Sequence, residues 1–372
     1  MYSRTTWAND PATTSPLSAG NLNKMEDQME RNSHNKNYII DGGMLVSQVY
    51  PVLDTTITDP LSGVYTAHDL YKLLYNVDGG SLPTIEHSRT LDTSDATTQL
   101  KVNVDGAGSS FGNGSYYGFK HYIEQGETLL AGQTCTLSLY AKTDIVGKKL
   151  ALFVNQNFGS GGSADVISQG EVITLTNILT RYTVTFDIGS ISGKTIGANS
   201  YLGINIVYQW GTTYASGRFT PTTAEDFVDA GDIFFTNIKF EIGELASDFI
   251  PENKLDARDN SLYYYNKSFN NAIAPARQTG VTDLGLVSFR GDGASYPCYT
   301  VQLQKRMRTN ATITLYNPQN ASADEIYNQS DAANLADIVE NKGSKSFVII
   351  VNNVITTAGD VLKVHWTADA RF

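Results

Sequence analysis

Cysteine is almost absent: Cys135 and Cys298 are the two thiols in 372 residues. With one in each half of the chain, neither a disulfide framework nor a thiolate metal site is supported, and both read as buried structural thiols. Charge is scarce as well, since Asp, Glu, Lys and Arg make up 17% of the residues against about 25% in ordinary globular chains. What charge there is leans acidic, 38 carboxylates to 27 cations with a net charge of −11. That balance argues against a phosphate-tracking groove, so no nucleic-acid partner is expected. Long apolar runs are missing too. None approaches the ~18 residues of a membrane span, and the opening Met1-Tyr-Ser-Arg-Thr-Thr-Trp7 lacks a signal-peptide core. No membrane insertion is expected, and the product is expected to stay in the cytosol of its maker.

Catalytic signatures are equally thin. The histidines His34, His68, His87, His121 and His365 show no zinc-ligand spacing. The glycine-rich stretch Asn157–Ser163 has no Lys-Ser or Lys-Thr behind it and reads as a turn between strands. No nucleophile elbow marks a serine triad. The carboxylate pairs Glu124/Glu127 and Asp226/Asp229 read as surface groups, because glycosidase chemistry needs two carboxyls about 5–10 Å apart across a cleft. The chain is therefore not expected to be an enzyme, no catalytic residue or metal ligand is assigned, and no cofactor is expected.

Gly, Ser, Thr, Asn and Tyr are plentiful, the composition of a β-rich, polar-surfaced protein, and the length exceeds what one hydrophobic core usually organises. Residues 1–36 read as a segment of their own: Pro11 and Pro16 keep the start extended, then Leu22, Met25 and Met29 form a thin apolar stripe at helical spacing, too narrow to stand without a partner. From residue 37 to 251 short strands follow one another without a helix of ordinary length, a sandwich signature. Expected strands are Tyr38–Val46, Gln99–Val104, Gly118–Ile123, Thr134–Lys142, Leu150–Asn155, Glu171–Leu175, Arg181–Asp187, Tyr201–Tyr208 and Ile233–Glu241. In the Thr134 strand, Cys135, Leu137, Leu139 and Ala141 alternate with Thr134, Thr136, Ser138 and Tyr140, which predicts one core face and one wet face. Residues 252–372 form a smaller β-rich domain, with expected strands at Leu284–Arg290, Tyr299–Lys305, Thr312–Tyr316, Ser346–Asn352 and Val361–Ala368 and a short helix at Ser330–Glu340. The expected class is mainly β: an N-terminal extended segment with a short helix, a central jelly-roll β-sandwich and a smaller sandwich-like C-terminal domain.

The run Phe240–Lys254 has a specific form. Asn237, Lys239, Phe240, Glu241, Gly243, Ala246, Phe249 and Pro251 fit N-[VI]-[QK]-[LF]-E-x-G followed by A-T-x-F-x-P, and Leu262–Lys267 supplies a tyrosine cluster with a basic residue. Asn37–Gln48, Glu124–Lys142, Met307–Pro318 and the ending Val364–Phe372 match further strands of the same pattern. Together these resemble bacteriophage tail-fibre and receptor-binding proteins, in which such a junction closes a jelly-roll, carbohydrate-binding-like domain. Three departures stand out: Ala67-His-Asp69-Leu-Tyr71 lacks the family's Trp, Asn260-Ser-Leu-Tyr263 stands for a Cys-x-Arg-Tyr-Tyr form, and Arg371 replaces an acidic residue. Trp7, Pro16, Leu17, Ala19, Leu22, Asn23, Met25 and Glu26 also fit the N-terminal segment of phage fibre proteins.

The resemblance implies a structural virion protein, a tail-fibre or tail-appendage subunit assembled in the host cytoplasm. It implies a homotrimer that docks on other virion proteins through its N-terminal segment, where Trp7, Leu17, Leu22, Met25 and Met29 are the candidates, and that contacts host-surface polysaccharide. Two alternatives stand beside it, a head-attached fibre or decoration protein and, from another class, a carbohydrate-active enzyme or its binding module. Calcium is the one ion the resemblance leaves open, because jelly-roll sugar binders hold it with loop carboxylates and carbonyls, but no ligand loop is named by the sequence. A sugar stacks its C–H face on Tyr or Trp while amides and carboxylates take its hydroxyls. Three aromatic loops qualify: Gly112–Tyr117, Tyr208–Tyr214 and Gly291–Tyr296. Trp210 and Tyr214 lead, with Tyr208, Tyr116 and Tyr117 behind them.

Overall fold

A computed structural model describes residues 22–25, 36–59, 65–94, 97–270, 286–291, 297–340, 342–351 and 357–372. Contacts divide the chain into two compact units, one of Met1–Met44, Thr56–Thr66 and Tyr71–Pro251, the other of Leu45–Thr55, Ala67–Leu70 and Glu252–Phe372.

The first unit contains β1 (Ile57–Asp59), β2 (Tyr71–Asn76), β3 (Ile85–Asp92), β4 (Thr97–Val104), β5 (Tyr116–Glu124), β6 (Thr134–Thr143), β7 (Lys149–Asn157), β8 (Val166–Thr174), β9 (Thr180–Asp187), β10 (Tyr201–Trp210), β11 (Phe219–Thr220) and β12 (Gly231–Ile242), with single helical turns α1 (Gly126–Leu129) and α2 (Thr212–Ala215). Among the described residues these strands form two six-stranded sheets, ordered β1-β3-β4-β12-β6-β9 and β11-β8-β7-β10-β5-β2. From β4 to β7 each successive strand changes sheet. That crossing is what makes the two sheets a jelly-roll sandwich rather than separate meanders. Aromatic rings fill the space between them: Phe119 of β5 meets Phe235 of β12 edge-on, 5.1 Å between ring centres, and Tyr208 lies 6.0 Å from the same ring.

The expected strand Tyr38–Val46 is instead a loop fastened to β12. β12 carries a register shift between Thr236 and Lys239, and Asn237 there has φ of 50°, a left-handed conformation that Asn tolerates better than most residues. The Asn37 side chain bridges this irregularity, donating to Ile238 O at 3.1 Å and accepting from Phe240 N at 3.0 Å. Gly42 comes so close that a Cβ would stand 1.9 Å from Ile238 O. The two motif runs, Asn37–Gly42 and Asn237–Glu241, are thus partners in one backbone lock.

The same stretch overturns the expectation of a wet outer face on β6. Thr136 and Ser138 are 1% and 2% exposed because Lys239 and Glu241 stand beside them in register and the following chain folds over all four. Lys239 Nζ lies 3.1 Å from Glu241 Oε2, with both side chains 1% exposed. Glu241 accepts from Ser247 N at 2.8 Å and Ser247 Oγ at 2.6 Å. Lys239 also donates to Ser247 Oγ and to Asp248 O. A buried ion pair survives only when such added hydrogen bonds satisfy both partners, so the Lys-x-Glu of the junction is a structural device.

In the second unit α3 (Lys254–Ser261) is capped by Asn253, whose side chain accepts from Leu255 N at 2.9 Å. Then come β13 (Tyr265–Lys267), β14 (Val287–Arg290), β15 (Cys298–Gln302), β16 (Thr312–Tyr316), β17 (Glu325–Asn328), β18 (Ala333–Glu340), β19 (Ser346–Val351) and β20 (Val361–Asp369). They join in order β13-β20-β17-β18-β19-β15, with β14 and β16 also on β20. The expected helix Ser330–Glu340 is largely β18: pairing with β17 and β19 on its two sides outweighs the Ala-rich helical propensity. Phe347, Ile349, Val364 and Trp366 anchor the core. Cys135 is buried as expected, but Cys298 is exposed, since it opens β15 at the end of the strand order.

Two early segments belong to this unit. Asp69 Oδ1 accepts from Ser47 Oγ at 2.9 Å and Val49 N at 3.1 Å, and Asp69 Oδ2 from Gln48 N. Gln48 in turn donates to Tyr265 O at 2.6 Å and accepts at its carbonyl from Lys267 Nζ at 2.6 Å. Burial lowers the Lys267 ammonium to about 8. The Asp69 and Lys267 motif positions are therefore held in one polar network.

Candidate functional site

Alternation fixes which side chains of the second sheet face outward. On β5, Tyr117, Phe119 and His121 are buried. Tyr117 points across the core to His87, its hydroxyl 3.1 Å from Nε2. The outward set is then Tyr116, Gly118, Lys120, Tyr122 and Glu124, all on one side of the strand. Register carries the face across the sheet. Lys72 of β2 stands opposite Lys120, Lys120 opposite Asn205 of β10, and Asn205 opposite Phe153 of β7. One step along, Tyr122, Gly203 and Asn155 align, and beyond them Glu124, Tyr201 and Asn157.

The rings of Tyr122 and Tyr201 meet edge-to-face, 4.6 Å between centres at 74°. Lys120 Nζ lies 5.7 Å from one ring centre and 5.6 Å from the other, and Lys72 Nζ is 6.0 Å from Tyr122. Gly203 makes room for this: a Cβ there would stand 2.4 Å from Asn155 Oδ1 and 3.1 Å from Lys120 Cδ. Amides line the rest of the floor. Asn205 Nδ2 donates to Asn155 Oδ1 at 3.1 Å, while Asn155 and Asn157 donate to the Asp165 carboxylate at 3.1 and 2.9 Å. Burial pushes the phenols of Tyr122 and Tyr201 above their ordinary value. It pulls the Lys120 ammonium down to about 8, against the attraction of Asp165 and helped by repulsion from Lys72 and Arg218.

One end of this face is roofed. Ala151, Phe153, Val207 and Trp210 pack with Ala215 and Phe219 beneath α2 and the chain that follows it. Tyr116 and Tyr214 stack there at 4.2 Å and 22°, and the Arg218 guanidinium lies 4.5 Å above the Tyr214 ring.

This places the residues expected from sequence. Tyr116 and Tyr214 do come together, half-buried at the roofed end. Trp210 is on the right face but 1% exposed, closed over by the α2 segment with its Nε1 donating to Thr223 O at 2.9 Å. Tyr208 and Tyr117 are 0% exposed because their strand positions point into the sandwich. These three rings have no free face for a ligand. Of the third loop, residues 292–296 lie outside the described residues, as do Trp7, Leu17 and Met29. Residues 22–25 are helical, with Leu22 half-buried and Met25 exposed. Of the carboxylate pairs, Asp226 and Asp229 are exposed, whereas Glu127 is buried in α1. Among the described residues no three His, Cys, Asp or Glu side chains gather as a metal site.

Sequence reasoning centred on loops missed Tyr122, Tyr201, Lys120 and the amides. The signal was present as alternation: Tyr116-x-Gly-x-Lys120-x-Tyr122-x-Glu124 and Tyr201-x-Gly-x-Asn205 each put polar or aromatic residues on one side of a strand. A separate cleft of about 440 Å³ lined by Tyr75, Val77, Gly80, Ser81, Leu82, Pro83 and Thr84 offers no carboxylate, amine or imidazole. The aromatic and amide face has the chemistry to recognise a sugar: ring edges and faces for C–H groups, amides for hydroxyls, and one cluster of charge.

The class defined so far is a two-sheet jelly-roll sandwich with a polar, aromatic outer face, joined in sequence to a second β unit. No protein-family model matches the chain, and no curated protein matches it. Among solved structures, it is similar to the N-terminal cellulose-binding domain of Cellulomonas fimi β-1,4-glucanase C, with 19% identity, 48% of this chain and 91% of that chain covered, and a TM-score of 0.29. It is similar to the CBM22-1 xylan-binding domain from Paenibacillus barcinonensis, with 11% identity, 51% and 95% coverage and a TM-score of 0.28. It is also similar to a family 11 carbohydrate-binding module from Clostridium thermocellum, with 11% identity, 52% and 98% coverage and a TM-score of 0.26. At such scores the likenesses assign nothing on their own, and the sandwich rests on its strand order and register.

Proposed function

We propose that the first unit is a non-catalytic carbohydrate-binding module whose ligand lies across the outer face of the β11-β8-β7-β10-β5-β2 sheet. The observation that carries this reading is the Tyr122–Tyr201 pair set among Asn155, Asn157 and Asn205. Tyrosines on a sheet, flanked by amides, supply stacking and hydroxyl recognition without a pair of catalytic carboxylates. The test is a glycan array followed by calorimetric titration of the full chain, comparing Tyr122→Ala and Tyr201→Ala with Tyr140→Ala on the other sheet. Each of the first two should weaken binding roughly ten-fold, the scale of one lost aromatic contact of ~1.5 kcal/mol. Tyr140→Ala should leave affinity in place. Undiminished binding by both face variants would remove the proposal.

The wider setting we propose is a bacteriophage fibre or appendage subunit, with this module meeting host-surface polysaccharide and weak contacts multiplied by a homotrimer. The junction and N-terminal motifs support it. That Asn37 and Gly42 meet the β12 irregularity and Lys239 pairs with Glu241 just beyond it supports reading the motif as a built module end. Imaging of assembled virions tests the placement, and sedimentation giving a stable monomer would overturn the trimer.

A further inference from the structure

The binding face carries a cation, Lys120, to which a neutral sugar brings no countercharge. Lys72 and Lys120 stand directly opposite one another on adjacent strands, where cross-strand partners have Cβ atoms about 5 Å apart. The chain as a whole is acidic, with 27 cations to 38 carboxylates, yet it sets these two lysines and Arg218 on one face. Lys120 is also fixed in place. Its stem lies against Gly203, where any side chain would intrude, and its ammonium lies to one side of the Tyr122 and Tyr201 rings, 5.7 and 5.6 Å from their centres. Among the described residues no carboxylate lies within ion-pairing distance of it. Asp165 attracts the Lys120 ammonium from farther off while it accepts from Asn155 and Asn157. Burial pulls the Lys120 ammonium down to about 8, more than the attraction of Asp165 restores.

Resting on the carbohydrate-binding reading above, we propose that this face selects acidic saccharides, the sugar ring against Tyr122 and Tyr201 and its anionic group, a uronate-type carboxylate, on Lys120 with Lys72 beside it. A planar carboxylate arriving there takes charge-assisted hydrogen bonds from a preplaced ammonium. The edge-to-face rings exclude water on their side of that contact and strengthen it. A neutral hexose makes the ring and amide contacts only.

The experiment titrates the full chain with a panel of acidic polysaccharides, polygalacturonate, alginate and hyaluronate, and with the carboxyl-reduced form of each, with neutral glucan and xylan alongside. Proteins are the natural chain and Lys120→Met, whose stem keeps the contact with Gly203 while losing the charge; equal melting temperatures establish that both are folded. For an acidic polymer that binds, the natural chain should prefer it over its reduced form by about ten-fold or more, the worth of one charge-assisted hydrogen bond. That preference should shrink with added salt. Lys120→Met should bring the ratio of affinities for the charged and reduced forms to about one. Equal affinity of the natural chain for charged and reduced forms, binding of neutral polymers alone, or a preference retained in Lys120→Met would overturn the acidic-sugar proposal and leave the carbohydrate-binding reading standing. Binding of no polymer in either series would overturn both.

Discussion

Glu241→Ala should be among the most damaging single changes in the first unit, and the structure sets the size of the effect. Glu241 accepts from Lys239 Nζ at 3.1 Å, Ser247 N at 2.8 Å and Ser247 Oγ at 2.6 Å, in a place where both charged side chains are 1% exposed. Removing the carboxylate takes the countercharge from a buried ammonium that also meets the Ser247 hydroxyl and the Asp248 carbonyl, and removes the Glu241 oxygen that the Ser247 amide donates to. Breaking a buried pair from one side costs ~3–5 kcal/mol. At roughly 2–4 °C per kcal/mol for a unit of this size, the melting temperature should fall by roughly 6 to 20 °C. The double variant Lys239→Met/Glu241→Leu removes both charges together and should recover most of the loss, because well-packed apolar replacements of a buried pair are often neutral or better. The assay is scanning calorimetry of the full chain. A single variant within ~1 kcal/mol of the natural chain, on the scale of an exposed pair, or a double variant as unstable as the single, would refute the reasoning.

Gly42→Ala places a Cβ 1.9 Å from Ile238 O, so the loop must leave the β12 irregularity. A loss of roughly 2–3 kcal/mol is expected, measured by urea unfolding against Gly343→Ala, where the nearest atom would be 3.3 Å away; equal stability of the two variants would sink the lock. His365 is held down to about 4 by burial, stacked on Phe269 at 4.2 Å. The unfolded chain then binds more protons between about pH 4 and 6.5, so the stability of the second unit is full above pH 6.5 and falls as pH drops through that window, by at most about 3 kcal/mol. His365→Gln should flatten the curve of urea midpoint against pH, and an unchanged slope in that variant would assign the dependence to other groups.

Strand content was legible because it depends on local pattern. Thr312–Tyr316 appears with its expected bounds, and the centres of β4, β5, β6, β7, β9, β10 and β12 fall where alternation and β-branched residues put them. Failures came where a distant partner decides. Tyr38–Val46 has strand-like composition, but Asn37 and Gly42 pin it to a bulge two hundred residues away. Ala333–Glu340 has helical composition, but two neighbouring strands claim its backbone. At the site, sequence chemistry chose the right residue types and brought out Tyr116 and Tyr214, but it favoured Trp210, Tyr208 and Tyr117, which packing hides.

The sequence by itself determined that this is a cysteine-poor, acidic, mainly β protein with a β sandwich in its longer part, because hydrophobic period and turn chemistry are written locally. It also carried the junction residues, though not what they do. Only the tertiary structure decided that Lys239 and Glu241 form a buried pair and that Asn37 bridges Ile238 and Phe240. It alone decided which side of β5 and β10 faces out, so that Tyr122, Tyr201, Lys72 and Lys120 converge. Those outcomes depend on register between strands far apart in sequence, and a one-residue change of register exchanges the two faces of a strand.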